Sequence, residues 1–446
     1  MSDVEKLWLT SQSTPSPSPA DQSDLDLEED FSRAFSLSRS NLIPNSAVER
    51  SQLRTLIEET RRNLQKFELQ DAQRVQLAKI LELQESLLSP IRTLPPEIMS
   101  EIFEFVIFEL DTPERNTVEP GVIRACVRGS IYPLTWVSSW WREIIVSQPS
   151  FWSCLLVELA EPVLDIIPIL GMCLARSGAA PLRLGLLPGK IELTPGLCSV
   201  LDDLARHADR WKEFVFWGDL PSLDYILKQA RNFTEFSILD ALAIFVNDIS
   251  ANSPGILGDS FIHSPRLRNL RISHLCATDT IELTHLSTLR ITLYRGSAFA
   301  VLLEKCPTLE TLTVHRISKA FGDEATSILI PCVRHTQLRT LELIINKDLV
   351  VDAWQSVQLP NLINIQIRGI NKGSFCDVAK QRFDELKVML SYSQCVLDRV
   401  QLLGDIDLDS DIVASLFRGI RVRSESNSRF VGDHPYNPTT TKSGSS

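Results

Sequence analysis

A chain of 446 residues exceeds one small core and calls for about two to four folded units at roughly 100 to 200 residues each. Hydrophobic residues at 44% and charged residues at 23% are ordinary globular proportions, which excludes a chain disordered throughout or built mainly of membrane spans. Fifty-six Asp plus Glu against 45 Lys plus Arg leave a net charge of -11, which argues against neutralisation of nucleic acid phosphates as its main work.

No run reaches the length of uncharged apolar residues that a bilayer span needs. The nearest, 162–175, is interrupted by Asp165, Pro168 and Gly171 and reads as a buried helix. Asp3, Glu5 and Lys6 open the chain with no apolar run behind them, unlike a secretory signal. The 9 cysteines fall singly, without CxxC or Cys/His metal spacing, so the expectation is reduced thiols in the cytoplasm or nucleus, with no metal.

Residues 1–45 combine the run Thr14-Pro15-Ser16-Pro17-Ser18-Pro19 with a cluster of acids between Asp21 and Asp30, and read as a disordered acidic tail whose Ser/Thr-Pro dipeptides could accept phosphate. Residues 46–89 contain neither Gly nor Pro, and Leu53, Leu56, Ile57, Leu64 and Phe67 recur at helical steps. A heptad drawn from Leu53 puts Asp71 and Arg74 on the seam before Leu81 and Leu88 resume it. An amphipathic helix or helical hairpin is therefore expected, rather than a long dimeric coiled coil. Pro90 ends the segment.

The next stretch reads Ser89-Pro90-Ile91-Arg92-Thr93-Leu94-Pro95-Pro96-Glu97-Ile98-Met99-Ser100-Glu101-Ile102-Phe103. Prolines suit the first turn of a helix, where the missing N–H loses no partner, and Glu97 suits its positive end. Ile98, Ile102 and Phe105 share one face, with Phe103 beside them. After a polar insertion at 109–131 come Val137-Ser138-Ser139-Trp140-Trp141-Arg142 and Gln148-Pro149-Ser150-Phe151-Trp152, with Leu134, Val137, Trp141 and Ile144 predicting a second helical stripe.

This pairing resembles the F-box motif in its fungal form, over residues 90–155. The resemblance implies a small all-α bundle that docks on the Skp adaptor of a cullin-RING ubiquitin ligase. Carried over to matching positions, Leu94, Pro95, Ile98, Ile102, Phe103, Leu134, Val137 and Trp141 would form the adaptor surface or the core beneath it; the sequence leaves open which does which. The insertion is longer than the usual connection between the first two helices of the family.

From residue 156 to 425 one apolar triplet recurs, with two variable residues and then one between its members. It stands at Trp211/Phe214/Phe216, Phe233/Phe236/Ile238, Leu267/Leu270/Ile272, Leu286/Leu289/Ile291, Leu309/Leu312/Val314, Leu338/Leu341/Leu343, Leu362/Ile365/Ile367 and Leu397/Val400/Leu402. Helical patterns fit between most of them, at 196–207, 221–229, 298–306, 323–334, 375–391 and 410–418. Each unit is a strand plus a helix that buries its apolar face only by stacking on neighbours. The array resembles the irregular leucine-rich-repeat region that follows the F-box in many fungal proteins, with a disordered tail expected at 426–446. The expected fold is thus multidomain, α plus α/β: an N-terminal helical segment, a small all-α F-box, then an α/β solenoid.

Variable strand positions in such an array face its concave surface. Arg268, Arg271, Arg290, Arg295 and His315 are expected to cluster there and to hold an acidic or phosphorylated segment of a client protein, against the plainer alternative of solvated strand residues. Val215, Ser237, Trp217 and Leu239 fall in the same two rows. No nucleophile elbow, dinucleotide fingerprint, His-Glu-x-x-His or EF-hand loop occurs, so neither catalysis nor a cofactor is expected. The resemblance implies a substrate receptor of a Skp-cullin-F-box ligase with an unknown client. The alternative is a repeat scaffold whose F-box-like helices cap the solenoid; capping requires the stripe around Ile98, Ile102 and Trp141 to be buried within the chain, docking requires part of it exposed.

Overall fold

A computed structural model describes residues 19–39, 44, 46–65, 71–110, 126–128, 131–159, 166–188, 193–233, 235–246, 257, 261–276, 279–295, 299–318, 332–345, 356–369, 386–403 and 422–425. The Ser-Pro run at 14–18, the expected helix at 410–418 and the expected tail at 426–446 lie outside the described residues. The chain divides into two compact units, Met1–Arg115 with Gly129–Trp152, and Asn116–Arg128 with Ser153–Ser446.

The first unit is helical. Its elements are α1 (Pro19–Arg39), α2 (Ala47–Leu64), α3 (Asp71–Leu87), a 3-10 turn (Pro90–Thr93), α4 (Pro96–Leu110), α5 (Ile131–Thr135), α6 (Ser139–Ser147) and a second 3-10 turn (Pro149–Trp152). The helix α1 corrects the expectation of a tail without regular structure. Composition over the whole segment hides Phe31, Ala34 and Leu37, which fall at helical steps, and Ala34, Leu37 and Ser38 are buried. Leu37 joins Leu53, Ile57 and Leu87 in one apolar cluster, and α1 and α2 both pack on α3.

Residues 46–89 form two helices rather than one. Ser46 starts α2 with a capping box: its Oγ accepts from Glu49 N at 3.0 Å, and Glu49 Oε2 accepts from Ser46 N at 3.1 Å. Asp71 lies in the first turn of α3, where a carboxylate complements the helix dipole, so it never enters a seam. The buried face of α3 is Leu77, Ile80, Gln84 and Leu87, with Leu81 and Leu88 only partly buried, one step off the heptad expectation. Arg92 reaches back to the carbonyls of Ser38 and Ser86, and its burial lowers its pKa from the ordinary guanidinium value.

The second unit is a mixed α/β structure dominated by one large parallel sheet. Its strands are β1 (Cys126–Arg128), β2 (Cys154–Leu159), β3 (Leu182–Pro188), β4 (Trp211–Gly218), β5 (Ala241–Val246), β6 (Asn269–Cys276), β7 (Thr288–Arg295), β8 (Thr311–Ser318), β9 (Val333–Arg334), β10 (Thr340–Ile345), β11 (Val357–Gln358), β12 (Asn364–Gly369), β13 (Arg399–Leu403) and β14 (Val422–Glu425). Among the described residues, 12 of these run side by side in chain order, while β9 and β11 pair separately. β1 is antiparallel to β2, and every later pair is parallel. Thus the insertion at 109–131 delivers a strand to this sheet.

Parallel neighbours need a crossover, and helices supply several: α7 (Ile167–Ser177), α8 (Pro195–Ala205), α9 (Leu220–Arg231), α10 (Phe299–Lys305) and helical residues 386–393. Thr194 and Asp219 cap α8 and α9, each with a proline in the first turn. The helix expected at 323–334 is corrected at its end, where Val333–Arg334 is strand β9.

The triplets explain the register. Their last two members share one face of a strand, since side chains alternate. Leu155, Leu184, Phe214, Leu242, Leu270, Leu289, Leu312, Leu341, Ile365 and Val400 therefore stand in one in-register column, and the residues two further on form the next. Each large side chain buried this way contributes roughly 1.5–3 kcal/mol.

One triplet is displaced from its expected place. Strand β5 carries Leu239/Leu242/Ile244, not Phe233/Phe236/Ile238. Phe236 sits at φ 50 with its ring packed 5.7 Å from Trp211 and 5.0 Å from Phe261, so the chain turns there instead of extending. Phe233 is exposed. With the shift, Leu239 stands 28 residues after Trp211 and 28 before Leu267, and the irregular spacing on either side vanishes.

Candidate interaction surfaces

In the helical unit, Ser89 opens the 3-10 turn at Pro90, and Leu94 is extended before Pro95, whose carbonyl accepts from Met99 N at 3.1 Å to start α4. Met99 and Phe103, one turn apart, are fully buried. The Phe103 ring lies 4.8 Å from Trp141 and 6.4 Å from Phe151. Trp152 Nε1 donates to the Ile145 carbonyl at 2.9 Å, which satisfies the indole inside this core. Ile131, Ile144, Ile145 and Phe151 complete it.

The face of α4 adjacent to this core stripe is also apolar and is exposed: Ile98 at 42%, Ile102 at 38% and Phe105 at 63%. A helix with two apolar faces, one buried and one open, has more apolar surface than its own fold uses. The residues left undivided by sequence now separate. Phe103 is core, Leu94, Leu134 and Trp141 are half-buried, and Pro95, Ile98, Ile102 and Val137 are exposed. Met99 and exposed Trp136 were missed; the step of four from Met99 to Phe103 was the signal for the buried face.

The second stripe is corrected. Leu134 lies in α5, which ends at Thr135, and Val137 follows in the turn, whereas Trp141 and Ile144 lie in α6. Ser138 breaks the run because its Oγ accepts from Trp141 N at 3.2 Å as the cap of α6. Arg142 Nε donates to the Thr135 carbonyl at 3.1 Å and ties the two short helices together.

In the sheet unit, the outward row beside the buried columns runs Leu156, Gly185, Val215, Ala243, Arg271, Arg290, Thr313, Glu342, Gln366 and Gln401. The displaced β5 replaces Ser237 by Ala243, and puts Phe245 beside Trp217 in place of Leu239, which is core. Of the five residues expected to cluster, Arg271 and Arg290 are register partners on adjacent strands. Arg268 precedes β6 at the N-terminal edge of the sheet, where its carbonyl accepts from Ser287 N and Thr288 N. His315 lies two positions beyond Thr313 on β8.

Arg295 is corrected out of that group. It ends β7, about 16 Å along the strand from Arg290, opposite Cys276. Burial raises the Cys276 thiol pKa, the Asp279 carboxylate adds to the rise, and Arg295 opposes it. On the neighbouring strand, Thr313 Oγ1 donates to Glu342 Oε2 at 3.1 Å, and Arg368 Nη2 lies 3.6 Å from Glu342 Oε1. The positive charge therefore gives way to a mixed network at β10 and β12.

Among the described residues, no group of His, Cys, Asp and Glu is arranged to hold a metal, and no helix is long and apolar enough to cross a membrane. Cys154, Cys173, Cys198, Cys276, Cys306, Cys332 and Cys395 are free thiols. Compared with known proteins, the chain matches no family model, and no curated protein is significantly similar to it.

Proposed function

We propose that this chain is a non-catalytic substrate receptor of a Skp-cullin-F-box ubiquitin ligase. The helices from Pro90 to Trp152 act as the F-box and dock the Skp adaptor, while the strands of the second unit form a leucine-rich-repeat-like solenoid whose open face holds a client. Holding a client beside the transfer machinery raises its local concentration to the order of millimolar for a short flexible connection, so the receptor contributes geometry. Such a complex works in the cytoplasm or nucleus, where the free thiols stay reduced.

What supports the reading is the second apolar face of α4. Ile98, Ile102 and Phe105 are left exposed by the packing of the helical unit, although Met99 and Phe103 on the same helix are fully buried. Groove-docking helices present apolar anchors at such spacing.

The test is co-purification of the full chain with the Skp adaptor of its own organism, beside a variant carrying Leu94→Ala, Pro95→Ala and Ile98→Asp. A stoichiometric complex lost in the variant is expected, because an unpaired charge buried at a docking surface costs several kcal/mol. A complex that survives the variant would overturn the residue assignment. No complex with the unaltered chain, under conditions where another F-box protein binds, would replace the receptor by a repeat scaffold.

A further inference from the structure

The outward face of the large sheet changes character between β5 and β6. On β2 to β5 it presents Leu156, Leu187, Val215, Trp217 and Phe245, all at least partly exposed, and its charges there are the paired Arg183 and Glu213, 3.2 Å apart, and the buried Glu158. Trp217 and Phe245 are register partners with ring centroids 5.5 Å apart, and Trp217 is 36% exposed. At the level of Val215 and Ala243, the next two strands present Arg271 and Arg290. An aromatic shelf thus borders two arginines that are register partners on adjacent strands, in a chain of net charge -11.

We propose that this border recognises an extended peptide segment of a partner protein, bearing an aromatic or large aliphatic side chain and, close by in sequence, an acidic group. Phe245 and Arg271 are one strand apart and two positions apart along the strand, about 8 Å by ordinary sheet spacings, a gap that about two or three extended residues span. Aromatic side chains supply the apolar anchor site, and a guanidinium fork suits a carboxylate or a phosphate. The peptide runs across the strands, so the anchor lies on β4 and β5 and the acid on β6 and β7. The inference rests on the reading of this face as the client face, and not on the adaptor.

The experiment selects a displayed library of random peptides on the full chain and measures the affinity of the best synthetic peptide by fluorescence anisotropy. Enrichment of an aromatic or aliphatic residue near Asp or Glu, at the spacing above, is expected. Trp217→Ala with Phe245→Ala should weaken that peptide at least about tenfold and erase the apolar preference. Arg271→Ala with Arg290→Ala should erase the acidic preference, whereas Arg295→Ala should change neither. Trp217→Lys serves as a second variant should the alanine pair lower the melting temperature. Resynthesis with phosphoserine or with serine at the acidic position separates the anion sources: either anion sustains binding, and serine loses it. Selection without this pairing, or preferences that persist in both double variants, would overturn the proposal. Peptide binding that survives when the adaptor fails to co-purify would remove the receptor reading and leave this one standing.

Discussion

The ring of His335 ties itself to the carbonyl of Cys306, with Nε2 2.8 Å from that oxygen, although 29 residues separate the two in sequence. Its Nδ1 accepts from Leu338 N at 3.1 Å, so Nε2 carries the hydrogen and donates. Both groups it serves are buried. His335→Ala leaves a buried carbonyl and a buried amide without this partner, at about 1–3 kcal/mol for each. A fall of several degrees in the melting temperature of the sheet unit is expected, with His335→Gln recovering part of it; an unchanged melting curve for His335→Ala would remove this structural role.

The two faces of α4 should respond to mutation in opposite ways. Phe103→Ala removes a buried ring packed on Trp141 and Phe151, and should cost about 3–5 kcal/mol of stability in denaturant titration. Ile98→Asp changes an exposed position and should alter stability by less than about 0.5 kcal/mol. If docking is its role, Ile98→Asp abolishes the adaptor complex while the fold remains intact by circular dichroism.

Alkaline pH should weaken the sheet unit. Burial pushes the Cys306 thiol up to about 12 and the Tyr294 hydroxyl up to about 12, from ordinary values of 9.0 and 10.0. A folded pKa above the unfolded one means that the native state holds its proton more tightly. The contribution is complete below about pH 9 and is lost as pH rises through about 12. Urea unfolding between pH 8 and pH 11 should show stability declining above about pH 9, less steeply in Tyr294→Phe. Native thiol labelling near neutral pH should modify exposed Cys332 quickly and spare Cys306.

The register of β5 is open to a paired substitution. Leu239 is fully buried whereas Ile238 is partly exposed. Leu239→Asp should destabilise by several kcal/mol, since it buries a charge without a partner, and Ile238→Asp by less than about 1 kcal/mol. A lower melting temperature for Ile238→Asp than for Leu239→Asp would place the strand in the other register.

The apolar spacing of seven triplets is enough to locate strands β4, β6, β7, β8, β10, β12 and β13, because a strand that must bury one face repeats its apolar residues in steps of two. The pair Ile98 and Ile102 likewise announces a helix face from spacing alone. The exceptions were decided by neighbours. Phe233, Phe236 and Ile238 have the right spacing for a strand, but Phe236 finds a better place between Trp211 and Phe261, and the strand moves on to Leu242 and Ile244. Leu37 finds its partners only when Leu53, Ile57 and Leu87 are brought to it. Chain pattern by itself therefore determined which segments could be helix or strand, since backbone geometry sets those periods. Only tertiary packing decided which side of α4 is core and which cations share a level of the sheet, because burial and register belong to pairs of segments and have no expression in one segment alone.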